Sequence, residues 1–440
     1  MGGSPIELSA CVCVGPWLIT NSLNGIVHIR NNQPSITLLY HFFYPDDVVS
    51  ARLFADATEE FVHRKWKVRV LTSNRYCRYP KKKILQKSEY WQGMHILRQK
   101  RPAWNQANTC YRLANTVWMV LGWTWKILRS KKSDVFLVGS DPQFSQLLSP
   151  FLKILVPKSL VVYWCHDLYP DAVIADNPNG LQARMAGKTK PVMRWLYQFA
   201  DVIVDIGPCM QRRIAEYRPK AVQRTLTPWA LVEPQKITLS DPEVRHDLFG
   251  DARLALLYSG NMGKAHDFEL FLALARRLAT VEPKIVFCFA CRGNRFDELK
   301  NSIRKEDLNI RFAPFAKESE LAKRLEAADI HLLSLRKAWD GIVVPSKFFG
   351  SLAVGRPVLF AGPESSSISQ WINEHDIGLI LTHNNIDVIM ERLIDFANEP
   401  QKLKAWQENA FKTYHGHFSK EKVMDKWDVL LLEELNLDYA

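Results

Sequence analysis

A chain of 440 residues is too long for one compact core, and with 47% hydrophobic residues it can fill two. Fifty-eight Lys and Arg against 46 Asp and Glu leave a net charge of +12, which favours anionic partners, and no run of eighteen uncharged apolar residues marks a membrane span. The eight cysteines form no zinc pattern; Cys288 and Cys291 make a C-x-x-C inside KIVFCFACRGN, an apolar run in which core packing is expected.

Residues 1–34 read as an N-terminal extension without clear periodicity. They lack the basic start, apolar run and small-residue cleavage site of a signal peptide, so a cytoplasmic, reducing setting is expected. A βα series follows, with strands over 35–40, 67–72, 135–139, 160–164 and 201–205 and helices over 49–62, 111–130, 147–155, 191–199 and from Cys209. TLTPWALVEP, residues 225–234, carries two prolines and reads as an interdomain linker. Strands over 254–258, 285–288, 310–312, 330–333, 358–360 and 378–381 repeat the pattern, and 419–435 is helical in period. The expected fold class is α/β, with two Rossmann-like, doubly wound parallel sheets over 35–227 and 228–415 facing a cleft, and a C-terminal helix over 416–440.

Charge is concentrated. Between Arg64 and Lys132 there are eighteen Lys or Arg and one acid, Glu89, interleaved with Trp66, Tyr76, Tyr79, Tyr90, Trp91, Trp104, Tyr111 and Trp118. Such a mixture suits anionic lipid headgroups, and LANTVWMVLGWTWKIL (113–128) suits an interfacial helix better than a spanning one. Nucleic acid is the rival partner, but no motif for it accompanies the charge. A solvated basic face over core aromatics is the third reading.

Two segments of the second half carry chemistry. LALLYSGNMGKAHDFELFLALARRL places Gly260, Asn261, Gly263 and Lys264 between an apolar strand and an amphipathic helix. DGIVVPSKFFGSLAVGRPVLFAG places Asp340, Gly341, Pro345, Ser346 and Lys347 at the start of another helix. Helix N-termini offer unpaired amides and a positive dipole end, and lysine adds a mobile charge, so both loops suit phosphate, and together a diphosphate.

GNMGKAHDFE and VVPSKFFGSLAVGRPVLFAG resemble the two donor-site segments of retaining GT-B glycosyltransferases, specifically the large family 4. HFFYPDDVVSARLFADATEEFVHRKWKVRVLTSNR and VVYWCHDLYPDAV resemble the opening βα unit and the histidine-bearing strand of that family's first domain. The resemblance covers most of residues 36–415. It implies that Lys264 and Lys347 neutralise the leaving diphosphate of a UDP- or GDP-sugar, and that Gly260, Asn261, Gly263, Pro345 and Ser346 contact its oxygens. Asp340 and Gly341 then lie near the sugar, and His166, with Asp167, lies near the transferred bond.

The chain departs from the pattern in places. Asn261 stands where many relatives have arginine, Ile342 and Gly350 replace an E-x7-E pair, and Asp46–Ser50 (DDVVS) replaces a glycine pair. The reading is a retaining glycosyltransferase, peripheral on the cytoplasmic membrane face, acting on a lipid-linked or polysaccharide acceptor. It has no resident cofactor and no metal, since no acidic D-x-D ligand pair stands out. A sugar-nucleotide epimerase of the same fold and a non-catalytic GT-B-like binding module are the alternatives.

Overall fold

The computed structural model describes residues 33–436 apart from 80, 82–83 and 105–107. The expected extension over 1–34 therefore lies, but for its last two residues, outside the described residues, as do Lys82 and Lys83 of the basic stretch.

The first half runs β1 (Ser35–Leu39), α1 (Val49–His63), β2 (Lys67–Ser73), β3 (Ser88–Trp91), β4 (Met94–Gln99), α2 (Thr109–Leu128), β5 (Val135–Gly139), α3 (Leu148–Leu155), β6 (Leu160–Trp164), α4 (Asp171–Asp176), α5 (Leu181–Gly187), α6 (Lys190–Leu196), β7 (Val202–Asp205), α7 (Pro208–Ala215) and β8 (Val222–Thr225). Its sheet has the order β3-β4-β2-β1-β5-β6-β7-β8, parallel except for the β3–β4 hairpin. β3, β4 and β8 were not expected from the sequence. Gln92 and Gly93 turn the hairpin, both at positive φ, as a two-residue turn between right-twisted strands requires.

The second half runs α8 (Pro242–Phe249), β9 (Leu254–Asn261), α9 (Glu269–Val281), β10 (Ile285–Arg292), α10 (Phe296–Asn301), β11 (Ile310–Phe312), α11 (Leu321–Glu326), β12 (Ile330–Ser334), α12 (Lys347–Ala353), β13 (Val358–Ala361), α13 (Ser367–His375), β14 (Gly378–Leu381), α14 (Ile386–Asn398), α15 (Pro400–Thr413) and α16 (Lys420–Glu434). Its sheet is wholly parallel, β11-β10-β9-β12-β13-β14. Cys288 and Cys291 are buried in β10 and, an odd number of residues apart, face opposite sides of it, so they share no site.

Strands buried on both faces read as unbroken apolar runs, which is why β5 (VFLVG) and β6 (LVVYW) are buried throughout. α16 lies on the first domain. Trp427 packs on Trp164 at a 5.0 Å ring separation, Asp428 Oδ1 accepts from Trp66 Nε1 at 2.7 Å, and Asp425 Oδ1 accepts from Arg64 at 2.7 Å. The chain thus returns to its first sheet and ties the two halves.

The basic stretch does not form one surface. Arg98 and Arg101 are buried, the first bonded to Glu89 at 2.6 Å and the second to His41 Nε2 at 3.0 Å, and Trp66 is core. A strand arginine that finds a partner can turn inward, and linear charge counting cannot see it.

Candidate active site

The carboxyl ends of both sheets meet across the cleft. β9 does not stop at Tyr258 but continues through Gly260, opposite Cys291, to Asn261, opposite Arg292. Gly260 has φ +121°, and a Cβ there would stand 2.8 Å from Lys347 Cε, so only glycine lets the lysine stem lie against the strand end. Lys347 Nζ donates to the Asn261 carbonyl at 2.8 Å, lies 3.2 Å from His266 Nε2 and sits 5.0 Å from the centre of the Tyr258 ring. His266 Nδ1 is 2.7 Å from the Ser334 carbonyl at the end of β12. A carbonyl only accepts, so the proton is on Nδ1 and Nε2 accepts from Lys347.

The ammonium is therefore met by a carbonyl, an imidazole and a ring face. Desolvation pushes Lys347 down to about 7, and burial, with Lys347 alongside, pushes His266 down to about 3. A cation held this way is under-compensated and suits an incoming anion.

Lys264 occupies the same loop but turns to the other domain, where it pairs with Asp176, the last residue of α4. The loop differs from the expectation in one respect. α9 begins only at Glu269, and Asp267 Oδ1 already accepts from the amides of Phe268 at 2.7 Å and Glu269 at 3.2 Å. That helix end is capped by its own side chain, so the lysines rather than these amides carry the charge complementarity. Ser346 stands at the N-cap of α12 without capping it, which leaves its hydroxyl for a ligand.

Asp340 and Gly341 form the loop's contact with the first domain. Asp340 Oδ2 accepts from Ser365 at 2.5 Å, its carbonyl accepts from Arg213 Nε at 3.2 Å, and its Oδ1 is buried without a partner. Gly341 has φ +72°, and a Cβ would come within 2.5 Å of the Cys209 carbonyl of α7. Both facts forbid a side chain, so Gly341→Ala is expected to cost on the order of 2 kcal/mol, read as a lower urea midpoint. An unchanged midpoint would show that the loop is not pinned to α7.

His166 follows β6 in the first domain, with Trp164 at 4.6 Å and Phe54 at 5.2 Å between ring centres. Its backbone N–H donates to Ser140 Oγ at 3.2 Å, and its Nε2 is buried without a partner. Burial pushes the imidazole down to about 3, so it is neutral. Two residues on, Leu168 N–H donates to the Ile342 carbonyl at 3.2 Å, which sets the histidine segment against the Asp340–Ser346 loop across the cleft. Asp167 is raised to about 6 by burial and by Asp141.

Several residues of the site escaped the sequence reading, though Asp167, named beside His166, did not. Asp141, Asp167, Arg112, Asn115 and Tyr169 line a pocket of about 210 Å³ together with His41. His41 Nδ1 donates to Asp141 at 3.0 Å, and its Nε2 accepts from Arg101 at 3.0 Å and Asn115 at 3.1 Å. Apart from Arg101, which follows β4, these residues come from α2 and the loops after β1, β5 and β6, far apart in the chain, and no local spacing announces them. Asp176 is hidden for the same reason. His266 was visible, two residues after Lys264. Asp46, in the segment that replaces the glycine pair, is buried and accepts from the Cys77 amide at 2.6 Å, so it shapes its own loop.

Residues 244–413 match the family described as glycosyl transferases group 1. A probable glycosyltransferase of Pseudomonas aeruginosa, WbjE, is 26% identical over 274 residues; these cover 61% of this chain and 66% of that protein, just under two thirds of its length. The fold is similar to that of sucrose-phosphate synthase from Thermosynechococcus elongatus, at 13% identity and a TM-score of 0.69, covering 92% of this chain and 100% of that one. It is also similar to Anabaena HepE solved in complex with UDP, at 12% identity and a TM-score of 0.63, covering 91% and 100%. Residues 244–413 are therefore a glycosyl transferases group 1 domain, in a chain built on the GT-B fold.

Proposed function

We propose that the chain is a glycosyltransferase that takes its sugar from a nucleotide-diphosphate donor, UDP- or GDP-linked, and passes it with retention to a lipid-linked or polysaccharide acceptor at the cytoplasmic face of a membrane. The observation that carries the donor half is Lys347 beside Gly260 and Asn261, short of a counter-charge, with Lys264 in the same loop. Charge on the diphosphate grows as the glycosidic bond breaks, so cations placed at the leaving oxygens stabilise the transition state more than the ground state. That work needs no metal.

Ser346 supports the phosphates with its hydroxyl, and Asp340 and Gly341 bound the sugar side. His166, neutral and with Nε2 unpartnered, is suited to accept a hydrogen bond from a donor hydroxyl. The pocket lined by Asp141 and Asp167 lies on the acceptor's side of the cleft, where carboxylates can orient sugar hydroxyls. Retention comes with the family resemblance. The UDP in the HepE complex makes uridine the first base to try.

Thermal stabilisation of the purified chain in EDTA by UDP, GDP and ADP tests this reading, since a ligand bound only by the folded state must raise its melting temperature. A shift with one base is expected. No shift with any nucleotide, in a chain shown to be folded, would return the non-catalytic binding module to first place.

A further inference from the structure

We propose that the α2–α3–α6 face of the first domain docks on an anionic lipid bilayer, so that the acceptor pocket opens at headgroup level. Right-handed crossovers put these helices on one side of the sheet: α2 joins β4 to β5, α3 joins β5 to β6 and α6 precedes β7, all running in one direction along the strand order, while α1 runs the other way. α2 packs beside α3, and α3 beside the 3-10 turn Tyr197–Phe199 that ends α6.

α2 is apolar on both faces. Met119, Val120, Trp123 and Ile127 enter the core, while Val117, Leu121, Trp125 and Leu128, spaced 4, 4 and 3 residues apart, form a second stripe that is more than half exposed. Ile154 of α3, 76% exposed, and Trp195 of α6, 54% exposed, extend it. Water is a poor partner for a patch on the order of 500 Å², the size that marks an interaction surface.

The charges choose the occupant. α2, α3, α5 and α6 contain no Asp or Glu, and Lys126 of α2 is followed by Arg129, Lys131 and Lys132. On the opposite side of the sheet α1 and α16 carry Asp56, Glu59, Glu60, Glu421 and Asp425. Lys153 of α3 and Lys190 of α6 are already paired, with Asp201 and Asp171, but the apolar side chains beside Lys126, Arg129, Lys131 and Lys132 complement anionic headgroups over hydrocarbon. These four cations are the C-terminal part of the linear basic stretch, whose Arg98 and Arg101 are instead buried.

The first turns of the same helix supply Arg112 and Asn115 to the pocket that holds Asp141 and Asp167. A docked α2 therefore presents the pocket to an amphiphile whose hydroxylated head leaves the bilayer while its tail stays. The naming of that acceptor rests on the glycosyltransferase reading; the docking does not.

Sedimentation of the full chain with phosphatidylcholine vesicles, with and without phosphatidylglycerol, tests the face, alongside L121D/W125D. The wild type is expected to bind the phosphatidylglycerol vesicles. Binding should fall at least tenfold in the double variant and on phosphatidylcholine alone, while the variant's melting temperature and stabilisation by UDP or GDP stay unchanged. Should the double change unfold the chain, I154D and W195D on the neighbouring helices read the same contact. Equal binding by variant and wild type overturns the proposal, as does absence of binding. A wild-type dimer that the variants dissolve overturns it too, and assigns the face to a second copy. A chain stabilised by nucleotide but indifferent to vesicles loses the docking and keeps the donor site; the converse loses the donor site alone.

Discussion

Lys347→Met is expected to lower kcat/KM by about 10³-fold while leaving the fold intact and, below neutral pH, more stable than the wild type. The activity loss follows from position: Lys347 Nζ lies at the end of β9 against the Asn261 carbonyl, where the leaving diphosphate of the proposed donor would collect charge. The stability gain follows from the sign of the pKa shift. Desolvation lowers Lys347 from 10.5 to about 7, so between those values the folded state binds fewer protons than the unfolded state, and this group's contribution to stability rises with pH. Below about pH 7 both states carry the charge and the desolvation penalty applies in full, so methionine, which has no charge to desolvate, gains most there. Donor binding runs the opposite way. A diphosphate raises the lysine's affinity for its proton, so nucleotide affinity should fall as pH climbs above about 7, and binding at pH 8 should take up a proton. Calorimetry of UDP or GDP binding in buffers of different ionisation enthalpy measures that proton directly. Uptake that is absent in the wild type, or that survives in Lys347→Met, would remove the lysine from the phosphate site.

That prediction rests on a residue the sequence displayed and on a geometry it did not. Pro345, Ser346 and Lys347 stand together before a helix, and the strand before Gly260 is a plain apolar run, so both loops were legible as loops between a strand and a helix. What places Lys347 against Gly260 is a glycine at φ +121° and a strand that runs on past its apolar run, through Ser259 and Gly260 to Asn261. Apolarity ends at Tyr258, but backbone pairing does not. β3 and β4 escaped because SEYW and MHILRQ alternate and are short, and the hairpin signal, Gln92-Gly93, is a weaker one than Asn-Gly. The buried Arg98 and Arg101 show a different limit. Their partners, Glu89, the Tyr44 carbonyl and His41, come from other strands and loops, and only the folded sheet makes an inward arginine tolerable.

Asp176→Asn and Lys264→Ala are expected to move donor affinity in opposite directions. Lys264 is paired with Asp176 across the two domains, with both side chains in partial contact with water. An ion pair of that exposure is worth roughly 0.2–1 kcal/mol, whereas a lysine on a diphosphate makes a charge-assisted bond to a doubly ionised group worth roughly 1.5–3 kcal/mol. The donor therefore wins Lys264 from Asp176, at a small cost. Removing the carboxylate removes that cost, and nucleotide binding should tighten by up to about fivefold, the factor that 1 kcal/mol represents. Removing the lysine forfeits the stronger bond to the diphosphate, and binding should weaken by about 10- to 100-fold with a greater loss in turnover. Titrations of both single variants and the double one separate the contributions. Once Lys264 is gone Asp176 has nothing to withhold, so the double variant should match Lys264→Ala or exceed it only slightly. Weaker nucleotide binding in Asp176→Asn would mean that the carboxylate holds the lysine in place for the phosphates, and the competition between Asp176 and the donor would be wrong.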